Sequence, residues 1–265
     1  MNTSEAIYQN LEYSLLILLS SLVMKKFVSI FLILLIVLSI FGLQPFQQSI
    51  DAEKTLIEET GVYANEVRRL TDATYLVAVR TSMPEVKAEM VRWWFSDFLQ
   101  TTEHYNWWHP KDHVWMDWEN KEPGKIEGAS HLVHEYIGGD LSKLRIQFVN
   151  SDEFFGYDAN DEDTFVICAR VGLLDEEMNI AKMCHVVVNT LNGAEMRSRF
   201  WLGHVAEREG NKSLSSIKGF IGNRPLTRLF AVNQQTAEDL KLHATEEMRF
   251  LAELLPTLYQ SQQTL

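Results

Sequence analysis

The sequence predicts an α+β domain in which a curved antiparallel sheet wraps a long C-terminal helix, with a separate apolar segment at the N-terminus. Three observations lead there. Between about 127 and 206, runs rich in β-branched and aromatic residues are separated by Gly, Asn and Asp turns. From near Thr236 to Leu255 apolar residues recur at spacings of three and four, as on one face of a helix. From Phe27 to Leu43 the chain carries no charge, a length near the lower limit for a membrane span.

The elements follow in order. Leu15 to Val23 is apolar but too short to cross a bilayer. Lys25 and Lys26 precede Phe27, and "MKKFVSIFLILLIVLSIFGLQ" reads as an export signal or an uncleaved anchor. The following "QPFQQSIDAEK" offers no small-x-small cleavage site, which favours the anchor. Paired lysines stay on the cytoplasmic side, so the remainder is expected on the extracytoplasmic side, periplasmic or secreted if the segment is removed. The expected organisation is an anchor or signal over 1–43, a polar helical connector over 44–71 with Ile57, Val62, Val67 and Leu70 in helical spacing, and one domain over 72–260.

Within the domain, "TYLVAVRTS" at 74–82 predicts a strand. Pro84 suits the first turn of a helix, "PEVKAEMVRWWFSDFL", with Val86, Met90, Trp93, Trp94 and Phe98 on helical spacing. "SHLVHEYIGG", "LRIQFVN", "FVICARV", "CHVVVNTL" and "AEMRSRFWLGHVAE" read as strands, and Asn192-Gly193 marks a hairpin between the last two. The final helix is expected from Thr236 to Leu255, ended by Pro256. Cys168 and Cys184 lie symmetrically about Glu176, in the turn between two strands, so they face each other as a disulfide or as two buried thiols.

Composition limits the function. The 36 Asp and Glu against 24 Lys and Arg give a net charge of -12 over 265 residues, which argues against nucleic-acid phosphate as the main partner. The 46% apolar content is that of a globular chain, and no repeat or low-complexity tract occurs.

Chemistry concentrates in histidines and carboxylates. "HYNWWHPKDHVWMDW" at 104–118 holds three histidines among four tryptophans and offers His109, Asp112 and His113. Pro110 holds the chain extended at His109. In "SHLVHEYIGG", His131, Val133 and Glu135 share one strand face and His134 takes the other. On the last helix Leu240, His243, Ala244, Glu247 and Leu251 share the buried face. A glutamate on that stripe needs a partner or a metal. His and Glu one turn apart either grip one ion or hydrogen-bond to each other, and a catalytic zinc site needs further ligands and an open position. His104, His131, His134 and His204 are expected to be surface or structural residues.

"WWHPKDHVWMDW", "SHLVHEYIGG", "CHVVVNTLNGAEMRSRFWLGH" and "HATEE", in this order over about 70 to 258, resemble the 2,4-diacetylphloroglucinol hydrolase and phloretin hydrolase family. The resemblance implies a helix-grip fold similar to Bet v 1 and START-like proteins. It also implies zinc-dependent cleavage of a carbon-carbon bond between an aromatic ring and an acyl group. It places the metal on His109, Glu135, His243 and Glu247, with His185 as a proton-transfer group or substrate contact; His113 is the reserve ligand should the loop present it instead of His109. Where that family holds phenolic hydroxyls on tyrosine and asparagine, this chain has Phe200 and Asp112, so the substrate is expected to differ.

The expected function is therefore a membrane-anchored hydrolase using Zn²⁺, or another divalent metal, on a small hydrophobic acyl-aromatic ketone or β-diketone. Water activated at the metal attacks the acyl carbonyl, aided by His185. The competing expectation is a carrier that binds a hydrophobic ligand in the helix-grip cavity without chemistry. A carrier has no reason to line an apolar cavity with two carboxylates.

Overall fold

The computed structural model describes residues 23–34, 55–58 and 64–263. The chain divides into two compact units, Met1–Gln44 and Pro45–Leu265. Of the first unit, 23–34 is helical, with apolar side chains such as Phe27, Phe31 and Leu34 exposed. Among the described residues no helix is long and apolar enough to cross a membrane. The rest of the expected span, 35–43, lies outside the described residues.

The second unit is built on one antiparallel sheet. Its strands are β1 (Glu66–Arg69), β2 (Tyr75–Pro84), β3 (His113–Glu119), β4 (Ser130–Ile137), β5 (Asp140–Val149), β6 (Thr164–Leu173), β7 (Met178–Thr190), β8 (Gly193–Glu209) and β9 (Lys212–Leu214). The order across the sheet is β1-β2-β8-β7-β6-β5-β4-β3, with β9 pairing β8. From β3 to β8 each strand therefore pairs with the next in sequence, so hairpins build most of the sheet. The helices are α1 (Ala88–Trp93), running into a π-turn at Trp94–Phe98, α2 (Thr102–Trp108), α3 (Asp152–Phe155), α4 (Ile217–Gly222), α5 (Pro225–Ala231) and α6 (Gln234–Gln263).

Both faces of the sheet are partly covered, and the period of two in β2 shows how. Val77 and Val79 join the main core with Ala244, Met248, Leu251 and Leu255 of α6. Leu76 and Ala78 point the other way, into a smaller cluster with Leu56, Phe154 and Trp201. The last helix thus lies against the sheet with its apolar stripe inward, as its spacing predicted.

Several boundaries differ from the sequence expectation. Pro84 ends β2 instead of opening a helix, and α1 starts four residues later at Ala88, where the Asn189 side chain accepts a hydrogen bond from its N–H at 2.8 Å. Glu66–Arg69, placed in the connector by spacing, pairs with β2 because an edge strand satisfies its backbone. Pro256 does not end α6, which continues to Gln263. Leu255 is fully buried and Leu258 packs on the main core, and this packing on both sides of the proline outweighs its missing N–H.

The β7-β8 hairpin forms, but its two turn residues are Leu191 and Asn192, and Gly193 already opens β8 opposite Thr190. A Cβ at Gly193 would lie 2.3 Å from the Met83 carbonyl oxygen, so the close approach of β2 requires glycine. Cys168 and Cys184 are direct cross-strand partners and form a disulfide with both residues buried. With a sequence separation of 16, the Cys168→Ser/Cys184→Ser variant is expected to lose about 3 kcal/mol of unfolding free energy. Urea titration measures this, and a loss below ~0.5 kcal/mol would mean that the paired strands already supply the constraint.

Candidate metal centre and cavity

The Thr101 hydroxyl caps α2, accepting a hydrogen bond from the His104 N–H at 3.2 Å. The helix ends at His109, and β3 starts at His113 with a bulge before Trp115. This short connection sends two imidazoles inward by different routes. His113 stacks on Tyr105 at 3.6 Å between ring centroids, and its Nδ1 lies 2.9 Å from the Tyr105 carbonyl oxygen. A carbonyl only accepts, so Nδ1 carries the proton and Nε2 presents a lone pair. His109 is arranged in the opposite sense. Its Nδ1 accepts from the Asp112 backbone N–H at 3.1 Å, so the neutral ring carries its proton on Nε2.

His113 and Glu135 are register partners across β3 and β4. Glu135 Oε2 accepts from the Tyr105 hydroxyl at 2.5 Å and lies 3.9 Å from His113 Nε2 and 3.8 Å from His243 Nε2. Glu247, one turn after His243 on α6, brings Oε1 within 3.4 Å of His113 Nε2. A second group adjoins this one. Asp112 Oδ2 lies 3.6 Å from both His109 Nε2 and His243 Nδ1, and Glu246 Oε2 lies 3.8 Å from His109 Nε2. His243 is thus shared between a His113-Glu135 group and a His109-Asp112 group, each compact enough to hold a metal ion.

Four ring nitrogens in these groups are buried without a hydrogen-bond partner: His109 Nε2, His113 Nε2 and both nitrogens of His243. Orphaned polar atoms of this kind are costly unless something occupies the space between them. The donor set, imidazole nitrogens and carboxylate oxygens, suits zinc and similar divalent ions. Electrostatics agree with a site rich in negative charge. Burial lowers the His243 pKa, but Glu135, Glu247 and Asp112 outweigh it and hold the ring above its ordinary value. Burial, with His243 and His113, pushes His109 down. Burial and Glu135 raise Tyr105 well above its usual range, so its hydroxyl remains a donor to that carboxylate.

The cluster opens into a cavity of about 340 Å³ whose wall includes Phe95, Trp108, Phe148, Phe200 and Met248. His185 and His131 also line it, along with Glu135, His243 and Glu247. His185 Nδ1 lies 2.7 Å from Ser198 Oγ, and its ring packs edge-on to Phe200 at 5.7 Å. The expected substrate contacts therefore separate: Phe200 lines the cavity, whereas Asp112 faces His109 and His243 instead. Of the two places expected for His131, surface or structural, the structure has the second: it is buried in the wall, stacked on Trp118 at 4.6 Å. Its position on the Glu135 face of β4 was the available signal. Tyr105 was not anticipated, although it sits one helical turn before His109.

Burial drives His185 to about 4 and His131, with help from His113, to about 3. Both values lie below the unfolded histidine value near ~6.5. Their contribution to stability is complete above that value and is lost as pH falls toward about 4 and about 3. At pH 5 each neutral ring is expected to cost about 2 kcal/mol relative to pH 7.5. Denaturant titrations in chelator at the two pH values test this, and a His131→Gln variant is expected to lose less on acidification.

A family model described as the DAPG hydrolase PhiG domain matches residues 47–260. The chain belongs to this family. This DAPG hydrolase family member is 29% identical over 198 residues to a phloretin hydrolase of Eubacterium ramulus, covering 71% of this chain and 68% of that one. It is 26% identical over 206 residues to a 2,4-diacetylphloroglucinol hydrolase of Pseudomonas protegens, covering 69% and 63% respectively. The chain thus spans about two thirds of the length of these relatives. Among solved structures, the ginseng major latex-like protein 151 from Panax ginseng is similar at a TM-score of 0.35 and 15% identity, covering 64% of this chain and 97% of that one.

Proposed function

We propose that this DAPG hydrolase family member is a divalent-metal-dependent hydrolase, zinc being the favoured ion. It cleaves the bond between an acyl carbonyl and an aromatic ring in a small hydrophobic ketone. The observation that carries this is the convergence of His113 Nε2, Glu135, His243 Nε2 and Glu247, the last three of which line an apolar cavity. Family membership and the names of its relatives supply the reaction class.

In this reading His113, Glu135, His243 and Glu247 hold the ion, and His109 stands behind His243 with Asp112. The roles of His109 and His113 are thereby exchanged relative to the sequence expectation. The reason is the tautomer: the Tyr105 carbonyl fixes a lone pair on His113 Nε2, whereas the Asp112 N–H puts the His109 proton on the side facing the cluster. A divalent ion bound there supplies Lewis acidity to an acyl carbonyl and makes water a better nucleophile.

The remaining work falls to the protein. Tyr105 orients Glu135 through its hydroxyl. The aromatic wall takes the ring and excludes bulk water, which strengthens electrostatic interactions at the reacting carbonyl. His185, neutral and anchored at Nδ1 by Ser198, has Nε2 left to take a proton from water and return it to the ring carbon. The balance is that hydroxide of water joins the acyl carbon and its proton joins the ring, giving a carboxylic acid and a deacylated arene. Phe200 replaces a hydroxyl-binding contact with an apolar one, which favours substrates less hydroxylated on that side.

Residues 1–43 would tether the domain on the extracytoplasmic side of a membrane. The exposed apolar side chains of 23–34 and the disulfide both support that placement.

Metal analysis of two variants tests the site. Wild type and His109→Ala are expected to retain about one ion per chain, whereas His113→Ala loses it. The reverse pattern would return the ligand role to His109. Absence of both stoichiometric metal and acid release from acylphenols in folded wild type would instead favour the carrier.

A further inference from the structure

Asp112 was expected beside the substrate, but the structure turns its carboxylate to imidazoles. The residue is held at both main-chain groups. Its N–H donates to His109 Nδ1 at 3.1 Å, and its carbonyl oxygen accepts from the Tyr136 N–H at 2.9 Å. A backbone fixed in this way aims the side chain, which is 14% exposed. Oδ2 stands 3.6 Å from His109 Nε2 and 3.6 Å from His243 Nδ1, and the two rings stack at 5.1 Å with 10° between their planes. Oδ1 lies 3.8 Å from the exposed Lys111 ammonium.

Proton positions on the rings follow from their other neighbours. His109 accepts at Nδ1, so its own proton sits on Nε2 and faces Asp112. His243 has Nε2 3.8 Å from Glu135, in the group with His113, and Nδ1 on the Asp112 side. A neutral imidazole carries one proton, and only the Nδ1–H form leaves the Nε2 lone pair in that group. Both nitrogens facing Oδ2 are then donors, and neither has another hydrogen-bond partner. Each separation exceeds a hydrogen bond, and a shift of about half an ångström closes it. Glu246 Oε2, 3.8 Å from His109 Nε2, is farther away and more exposed. An ionised carboxylate suits two N–H groups because it only accepts and is charged, whereas an amide in the same pose would be neutral and turn its NH₂ toward Lys111.

We propose that Asp112 is a positioning residue and not a substrate contact: its carboxylate accepts from His243 Nδ1–H and His109 Nε2–H, and so presents the His243 Nε2 lone pair to a divalent ion. The proposal rests on the hydrolase reading and specifies it. A carboxylate on the far nitrogen fixes an imidazole ring and makes it a stronger donor. With Asp112 committed to the imidazoles and Phe200 apolar, neither position expected to hold a ring hydroxyl does so. The substrate class narrows to acyl-aromatic ketones that need no hydroxyl at those two places.

The test is zinc affinity of the full chain in detergent, by competition with a chelating dye, for wild type, Asp112→Asn and Phe200→Tyr. Asp112→Asn is expected to bind zinc about 10–100-fold more weakly at an unchanged stoichiometry of about one. With Co²⁺ as the probe its visible spectrum is expected to shift. At saturating zinc, the ratio of kcat/KM between acylphenols with and without a second ring hydroxyl is expected to stay within about threefold of wild type. Phe200→Tyr is expected to do the reverse, changing that ratio and keeping the zinc affinity. If Asp112→Asn fails to fold, nitrogen-15 NMR of histidines in the zinc-loaded wild type reads the tautomer, with the His243 proton expected on Nδ1. Zinc affinity of the variant within about twofold of wild type, or a His243 proton on Nε2, overturns the proposal. So does a second ion per chain that Asp112→Asn removes, since Asp112 would then be a ligand. Wild type that binds no zinc overturns the hydrolase reading as well, which separates the two failures.

Discussion

Glu135→Gln is expected to eliminate stoichiometric metal and to lower kcat/KM by ~10³-fold or more, about 4 kcal/mol of transition-state stabilisation. The substitution keeps shape and volume, so the fold should persist while the charge disappears. Glu135 Oε2 stands 3.8 Å and 3.9 Å from the Nε2 atoms of His243 and His113 and also receives the Tyr105 hydroxyl. A neutral amide in that place leaves Glu247 as the carboxylate beside His113, and the ion loses one of its two anionic ligands. Elemental analysis and acid release from acylphenols measure the outcome together. Retained metal with activity within about tenfold of wild type would remove Glu135 from the ligand set.

His185→Ala is expected to lower kcat by ~10²–10⁴-fold while leaving the metal content unchanged. The ring lines the cavity and is held by Ser198 rather than by the clustered carboxylates. Because burial holds it at about 4, the ring stays neutral at and above neutral pH, and kcat should show no ionisation of His185 there. A wild-type profile unchanged in the variant, with kcat also unchanged, would assign proton transfer to another group. Loss of metal in the variant would instead mean that His185 shapes the cluster.

The hairpin architecture was legible because each strand carries its own pattern and each turn its own residues. Asn192-Gly193 located the β7-β8 hairpin to within one residue, and the symmetric cysteines registered β6 on β7. The buried face of α6 was legible for the same reason, down to the inward His243 and Glu247. What the sequence hid depends on atoms rather than spacing. His109 and His113 both lie in one short stretch, and only the Tyr105 carbonyl and the Asp112 N–H distinguish their tautomers. Pro84 and Pro256 carry strong local signals, but pairing with β8 and the packing of Leu255 and Leu258 override them.

The pairing of His113 with Glu135 joins β3, the outermost strand at one margin of the sheet, to β4, while His243 and Glu247 belong to the helix against which the sheet folds. An ion held by all four would act as a clasp between margin and axle. Segments distant along the chain would then be fastened at a single point, and the margin could no longer peel away without first surrendering the ion. Retention of the cation and closure of the curved wall around the substrate would be one mechanical event.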